Sequence, residues 1–174
     1  VRGVACHIGS QLTDLAPLGE AFERIRDLVA GLRADGHDIR HVDLGGGLGV
    51  RYRDETAPDV AAYAALVRAC FPEPELELVF EPGRRLVADA GLLLTRVEYV
   101  KHNGARAFAI VDAAMNDLLR PALYDAWHPL HVDRAGPAPH REHDRFDVVG
   151  PVCESGDFLA RDRELQVGPG DLVA

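Results

Sequence analysis

The sequence is poor in the features that mark a nucleic-acid binder, a membrane protein or a disulfide scaffold. Basic residues are outnumbered, 19 Lys and Arg against 28 Asp and Glu for a formal charge of −9, and the acids are dispersed rather than gathered into a tail. Neither nucleic acid nor an anionic membrane surface is therefore an expected partner. No apolar run approaches the length of a membrane span. The three cysteines, Cys6, Cys70 and Cys153, lie far apart, form no C-x-x-C pair and leave an odd total, which argues against a disulfide framework and fits a reducing, cytoplasmic setting. An initiator methionine and a signal segment are missing too. Val1–Ala5 reads as the middle of a strand and Gly170–Ala174 stops inside another, so the expectation is a piece cut from a longer protein. Lysine is nearly absent, with Lys101 the only one.

What is present predicts two textures. With 47% hydrophobic and 27% charged residues, the chain is long enough for one core or for parts of two domains. Residues 3–8 (GVACHI) read as a buried strand closed by Gly9-Ser10. Leu18, Phe22, Ile25, Val29 and Leu32 then recur at spacings of 4, 3, 4 and 3 with charges between them, a helix with Gly36 as its C-terminal cap. A strand at 41–44, a helix from about Pro58 to Phe71 stopped by Pro72, and a strand at 76–80 (LELVF) follow. Strand starts spaced in this way belong to βα units, which predicts an α/β fold with a parallel sheet or barrel. After about residue 90, LLLTRVEYV, an Asn103-Gly104 turn and RAFAIVDA predict an antiparallel hairpin. Short strands at 128–132, 146–153 and 164–173 follow, around a Pro/His/Gly-rich stretch at 134–145. A boundary near residue 90 thus divides domains at 1–90 and 91–174.

Val42-Asp43-Leu44 breaks into Gly45-Gly46-Gly47, with Gly49 two residues on. Such a cluster supplies φ > 0 geometry or close approach to a ligand, most often a phosphate held by backbone N–H groups, and reads equally well as a plain tight turn. It is not the dinucleotide fingerprint, because GGGLGV has no third glycine at the required offset. Position says more. His7 with Ser10, the glycines, and Glu81 with Gly83-Arg84 all fall at the C-terminal ends of successive predicted strands, where parallel α/β folds place their sites. Singly, each is bland: a lone His7 is more often a buried, hydrogen-bonded histidine, and Ser10 and Pro82-Gly83 are turn residues. Together they offer a ring, a hydroxyl, backbone N–H groups, a carboxylate and a guanidinium around one mouth. Phosphate suits that set. The carboxylate beside it calls for a ligand anionic at one end and cationic at the other.

CHIGSQ, DLGGGLG, EPGRRLVADAG, VDAAMNDLLRPALYDAWHP and VGPVCESGDFLA, in this order and spacing, resemble the diaminopimelate decarboxylase family, pyridoxal-phosphate enzymes that share a fold with ornithine decarboxylase and alanine racemase. The glycine run and EPGR belong to that whole superfamily; MNDLLRPALY and CESGD point to the diaminopimelate branch. The resemblance implies the C-terminal part of a (β/α)8 TIM barrel followed by a mostly β second domain. It also implies pyridoxal 5′-phosphate as cofactor, no metal, and conversion of meso-2,6-diaminopimelate to L-lysine and carbon dioxide by a homodimer with a shared active site. Gly45, Gly46, Gly47, Ser10 and the backbone around Gly83 would hold the cofactor phosphate. His7 would stack on the pyridine face, counted with Cys153 as catalytic, and Glu81 would pair with the pyridine nitrogen. Arg84 would contact either phosphate or a substrate carboxylate. Arg120 and Tyr124, four apart on a helical turn, would grip the substrate's distal carboxylate. Cys153 and Glu154 would reach the partner subunit's site, Glu154 reading the distal amino group. From the residues alone, Arg120 is a surface arginine, Tyr124 half-buried, Cys153 a small buried hydrophobe and Glu154 a solvated acid.

Two parts of the family pattern fall outside these residues. Its Schiff-base lysine belongs to an early barrel segment upstream, and a tyrosine near the phosphate comes later. Lys101 lies after EPGR, in YVKHN, and is read as an exposed hairpin lysine rather than that residue. The isolated chain is accordingly expected to be inactive. Competing expectations are a sister decarboxylase of ornithine or arginine, which would not need Arg120 for a second carboxylate, a non-catalytic family member acting as a binding partner, and a phosphate-binding barrel with unrelated chemistry.

Overall fold

A computed structural model describes residues 1–133 and 142–174; of the Pro/His/Gly-rich stretch, 134–141 lie outside the described residues. The chain divides into two compact units, Val1–Gly91 and Leu92–Ala174. Among the described residues no helix is long and apolar enough to cross a membrane.

The first unit is α/β, with parallel βα repeats. Strands β1 (Gly3–Ala5), β2 (His41–Asp43) and β3 (Glu77–Val79) form a parallel sheet in that order. Helix α1 (Ala16–Ala34) links β1 to β2 and α2 (Val60–Cys70) links β2 to β3. α1 buries Leu18, Phe22 and Val29 against the sheet, the stripe that its 4-3-4-3 spacing predicts. It stops where Gly36 adopts φ +86° and His37 N–H reaches back to Leu32 O at 3.0 Å, a glycine C-cap. α2 starts two residues later than Pro58 because Asp59 is its N-cap, its carboxylate accepting from Ala62 N–H at 3.0 Å. Phe22 packs edge-on against Tyr63 and Phe71, closing a core of α1, α2 and the buried face of β2. A five-residue helix, α3 (Gly83–Val87), directly follows the Glu81-Pro82 turn. It is too short to leave a periodic signature in the sequence.

The second unit is mostly β: β4 (Thr95–Asn103), β5 (Arg106–Val111), α4 (Leu119–Tyr124), β6 (Val132–Asp133), β7 (Glu142–Val149), β8 (Phe158–Val167) and β9 (Leu172–Val173). Its six strands form one sheet in the order β6-β9-β4-β5-β7-β8, antiparallel except for β5 beside β7. Ala107, Ala109 and Val111 alternate into a core with Phe146, Val148, Leu165 and Val167, the period-2 pattern of a half-buried sheet. The β4–β5 hairpin turns on Gly104-Ala105, with Asn103 still paired to Arg106, because the positive φ of 61° falls on Gly104 as the first turn residue. β8 begins at Phe158, six residues before the predicted 164. Its charged Arg161-Asp162-Arg163 run hides a bulge: Val148 pairs with Ala160 and Phe146 with Arg163, and Asp162 takes φ 51° at the extra position.

Candidate functional site

Register brings the first unit's predicted residues together. Ala5, Asp43 and Val79 are partners across the sheet, and the ladder continues past the strands: Cys6 N–H donates to Asp43 O (3.0 Å), Leu44 N–H to Val79 O (2.9 Å) and Glu81 N–H to Gly45 O (2.8 Å). His7, Gly45 and Glu81, each two residues beyond those partners, therefore stand abreast at the C-terminal rim. Gly46 N–H points at His7 Nδ1 at 3.4 Å. That bond requires a lone pair on Nδ1, so the neutral ring carries its proton on Nε2. His7 is exposed rather than buried.

The glycines are explained first by their own chain. A Cβ on Gly45 would overlap the Cys6 carbonyl oxygen, one on Gly46 the Glu81 carbonyl oxygen, and one on Gly47 the Gly9 carbonyl oxygen. Gly45 and Gly47 also hold φ of 68° and 95°. The loops after β1 and β3 thus close onto the loop after β2 through main-chain contact. Two of the three N–H groups are used internally, Gly45 N–H by Asp43 Oδ1 (2.8 Å) and Gly46 N–H by His7. Among the described residues Gly47 N–H has no acceptor, and the Ser10 hydroxyl and Glu81 carboxylate have no partner. Gly83 differs: its φ is ordinary and a Cβ there would meet nothing within 4 Å. Nothing in the described chain requires glycine at that position.

Arg84 is held by a residue that the sequence reading passed over. Gln11 adopts φ 61°, its amide donates to Val50 O (2.5 Å) and accepts from Val50 N–H (3.2 Å), and the same Oε1 accepts from Arg84 Nη1 at 3.1 Å. Tyr52 lies under the guanidinium, 5.9 Å from ring centroid to Cζ. Gln11 directly follows Ser10, but no sequence signal marks a lone glutamine as a clamp between two loops. Beside the rim, a cavity of about 350 Å³ is walled by Gly45, Gly46, Tyr63, Phe80, Pro82 and Arg85. Burial pushes the Tyr63 phenol up.

In the second unit the burial of Arg120 and Tyr124 is the reverse of what the residues alone predict. Tyr124 is 70% exposed, whereas Arg120 is partly buried, with Nη1 3.0 Å from His128 Nε2. A guanidinium only donates, so His128 is the acceptor and neutral there. Burial, then the Arg120 and Arg163 charges, hold the His128 ring below its ordinary range. Arg163 donates to His128 O at 2.7 Å and lies over Trp127, 4.4 Å from its ring centroid. Cys153 is exposed, not buried, because its loop runs along the surface between β7 and β8. Glu154 accepts from Ser155 Oγ (3.0 Å) and Gly156 N–H (3.3 Å), which holds its carboxyl below the ordinary range and so keeps it anionic. Lys101 lies exposed on β4. No cluster of His, Cys, Asp and Glu suited to a metal occurs among the described residues.

A family model described as the C-terminal sheet domain of pyridoxal-dependent decarboxylases matches residues 12–174. The diaminopimelate decarboxylase of Pseudomonas aeruginosa is 58% identical over 174 residues, 100% of this chain and 41% of the relative; that of Vibrio cholerae is 52% identical, again with 41% of the relative covered. Among solved structures, a Helicobacter pylori diaminopimelate decarboxylase complexed with L-lysine superposes with a TM-score of 0.89 at 42% identity, covering 99% of this chain and 42% of that one. The chain thus spans about two-fifths of the length of these relatives. With a family match that runs through both units, this chain belongs to the pyridoxal-dependent decarboxylases.

Proposed function

We propose that these residues act within a diaminopimelate decarboxylase that releases carbon dioxide from meso-2,6-diaminopimelate to give L-lysine. In this reading the first unit, part of a (β/α)8 barrel, holds pyridoxal 5′-phosphate, and the second unit reads the substrate. The observation that carries the cofactor assignment is the partnerless Glu81 carboxylate abreast of His7 and the glycine rim, next to Gly83, whose missing Cβ leaves room that the chain itself does not use. The donor set matches the group: Ser10 hydroxyl, Gly47 N–H and the backbone at Gly83 suit its phosphate, and Glu81 suits a protonated ring nitrogen. When bound, the cofactor supplies an electron sink for the bond to the departing carboxylate.

The proposed tasks are consistent with each residue's setting. Glu81 would hold a proton at the pyridine nitrogen, and His7, oriented through Nδ1, would present its ring face. Arg84, steadied by Gln11 and Tyr52, keeps guanidinium donors for a phosphate or a carboxylate. Arg120, oriented by His128, would grip the distal carboxylate with Tyr124, and the anionic Glu154 with Cys153 would serve the partner subunit of a homodimer, Glu154 on the distal ammonium. Lys101 takes no part.

Turnover by the full-length enzyme on meso-diaminopimelate and on ornithine tests this reading through lysine or putrescine formed. Losing a charged hydrogen bond to a second carboxylate costs about 1.5–3 kcal/mol, so kcat/KM should favour diaminopimelate by roughly 10- to 100-fold. Equal or better turnover of ornithine would overturn the assignment in favour of a sister decarboxylase.

A further inference from the structure

The most deeply buried acid beside a candidate site residue is Asp157, 4% exposed, and nothing above gives it a task. Oδ1 accepts from Met115 N–H at 2.7 Å and Oδ2 from Val152 N–H at 2.7 Å. Its own N–H donates to Glu154 O at 3.0 Å, and its carbonyl accepts from Gly150 N–H at 3.2 Å. One residue thus closes the 150–157 loop on itself and ties it to the Met115 turn. That turn is short and internally hydrogen-bonded: Ala114 N–H donates to Asp117 Oδ2 (2.9 Å), Leu118 N–H to Ala114 O (3.2 Å), and α4 with Arg120 begins at the next residue. Gly150 serves the same joint, since a Cβ there would come to 2.5 Å from Asp157 Oδ2 and 2.6 Å from Ala113 O. Both carboxylate oxygens are spent on main-chain donors from separate segments, and such charge-assisted bonds are the strong ones.

We infer that Asp157 is a positioning residue: it holds the loop bearing Cys153 and Glu154 against the turn that starts α4, and so sets where Glu154 stands when it meets the substrate's distal ammonium. The inference rests on the proposed function for its kinetic consequence but not for its geometry. A carboxamide cannot replace the carboxylate, because its single oxygen serves one N–H while its NH2 faces the other donor. An unanchored loop leaves Glu154 chemically intact but mobile, so the cost should appear in substrate recognition.

The test is a double-mutant cycle in the full-length holoenzyme. Asp157→Asn should lower kcat/KM for meso-diaminopimelate roughly tenfold, mainly through KM, as expected for one charged hydrogen bond. In a Glu154→Gln background the same change should cost less than twofold, because Asp157 acts through Glu154. Equal costs in the two backgrounds would overturn the inference, since a general loss of stability does not depend on Glu154. Amide exchange at Met115 and Val152 and the rate at which a thiol reagent labels Cys153 should both rise in Asp157→Asn; no change in either would also overturn it, and neither needs turnover. Should Asp157→Asn fail to fold, Gly150→Ala, which crowds Oδ2 but keeps the carboxylate, takes its place in the same cycle. A wild-type enzyme inactive on diaminopimelate would refute the proposed function, while exchange and labelling would still decide the positioning role.

Discussion

In Val1–Gly91 the strands are three residues long and the glycine rim above them is packed main chain on main chain, with the Gln11 side chain as a clamp beside it, whereas in Leu92–Ala174 strands reach ten residues and the 150–157 loop is pinned by a buried side chain. Gly45, Gly46 and Gly47 fit because they lack a Cβ where three carbonyl oxygens pass. The second unit instead spends buried polar groups. Thr95 Oγ1 donates to Asp112 Oδ1 (2.6 Å) and accepts from Ala113 N–H (3.0 Å), and Asp157 ties two loops together. The difference is one of failure mode. A rim held by contact tolerates no added atom, while a loop held by hydrogen bonds tolerates atoms but not the loss of an acceptor.

The largest expected effect lies in the first unit. Gly45→Ala adds a Cβ onto the Cys6 carbonyl oxygen at φ 68°, so it should destabilise the full-length protein by about 3 kcal/mol or more in chemical denaturation. A change below about 1 kcal/mol would mean that the strand ends can part, and the contrast between the units would break. Next comes Thr95→Val, nearly the same volume without the hydroxyl. It strands Ala113 N–H in a buried site and should cost about 2 kcal/mol by the same measurement.

A smaller effect should appear with pH. His128 is held below its ordinary range by burial and by Arg120 and Arg163, so the unfolded chain binds the proton more readily than the folded one. Its contribution to stability is complete above the ordinary value of 6.5 and is lost as pH falls through the folded one. Melting temperature recorded from pH 7.5 to 5 should fall on acidification, and His128→Gln should flatten that slope. The smallest effect on folding belongs to Gly83→Ala, where the Cβ meets open space and stability should stay within about 0.5 kcal/mol. Its cofactor affinity, read from the absorbance of bound pyridoxal phosphate, should nevertheless drop. Unchanged affinity would leave Gly83 as an ordinary turn glycine and remove the contrast with Gly45.

Legibility in the sequence followed the strength of local signals. The stripe Leu18, Phe22, Val29 and the alternation Ala107, Ala109, Val111 were readable because burial repeats at the period of the element. The β8 start was not, because the bulge at Asp162 breaks the period and puts charges inside a strand. At the rim, His7, the glycines and Glu81 could be read from their positions after strands, yet the reason for three consecutive glycines could not. It depends on Cys6, Gly9 and Glu81, which are distant in sequence. Gln11, His128 and Asp157 sit inside the quoted motifs, but their contacts could not be read there, since each depends on which residue the fold brings to it: Arg84 for Gln11, Arg120 for His128 and Met115 for Asp157.

The amino-acid sequence by itself determined the strand–helix alternation of the first unit, the change from βα repeats to a β-rich unit, and the family, because periodicity, turn residues and motif spacing are local properties. Tertiary structure decided the rest: that strand register sets His7, Gly45 and Glu81 abreast, that the glycine run is first a close approach of three loops, and that Arg120 turns inward to His128 while Tyr124 faces solvent. The physical reason is that steric exclusion and hydrogen bonding act between neighbours in space, and only the folded chain says which residues are neighbours.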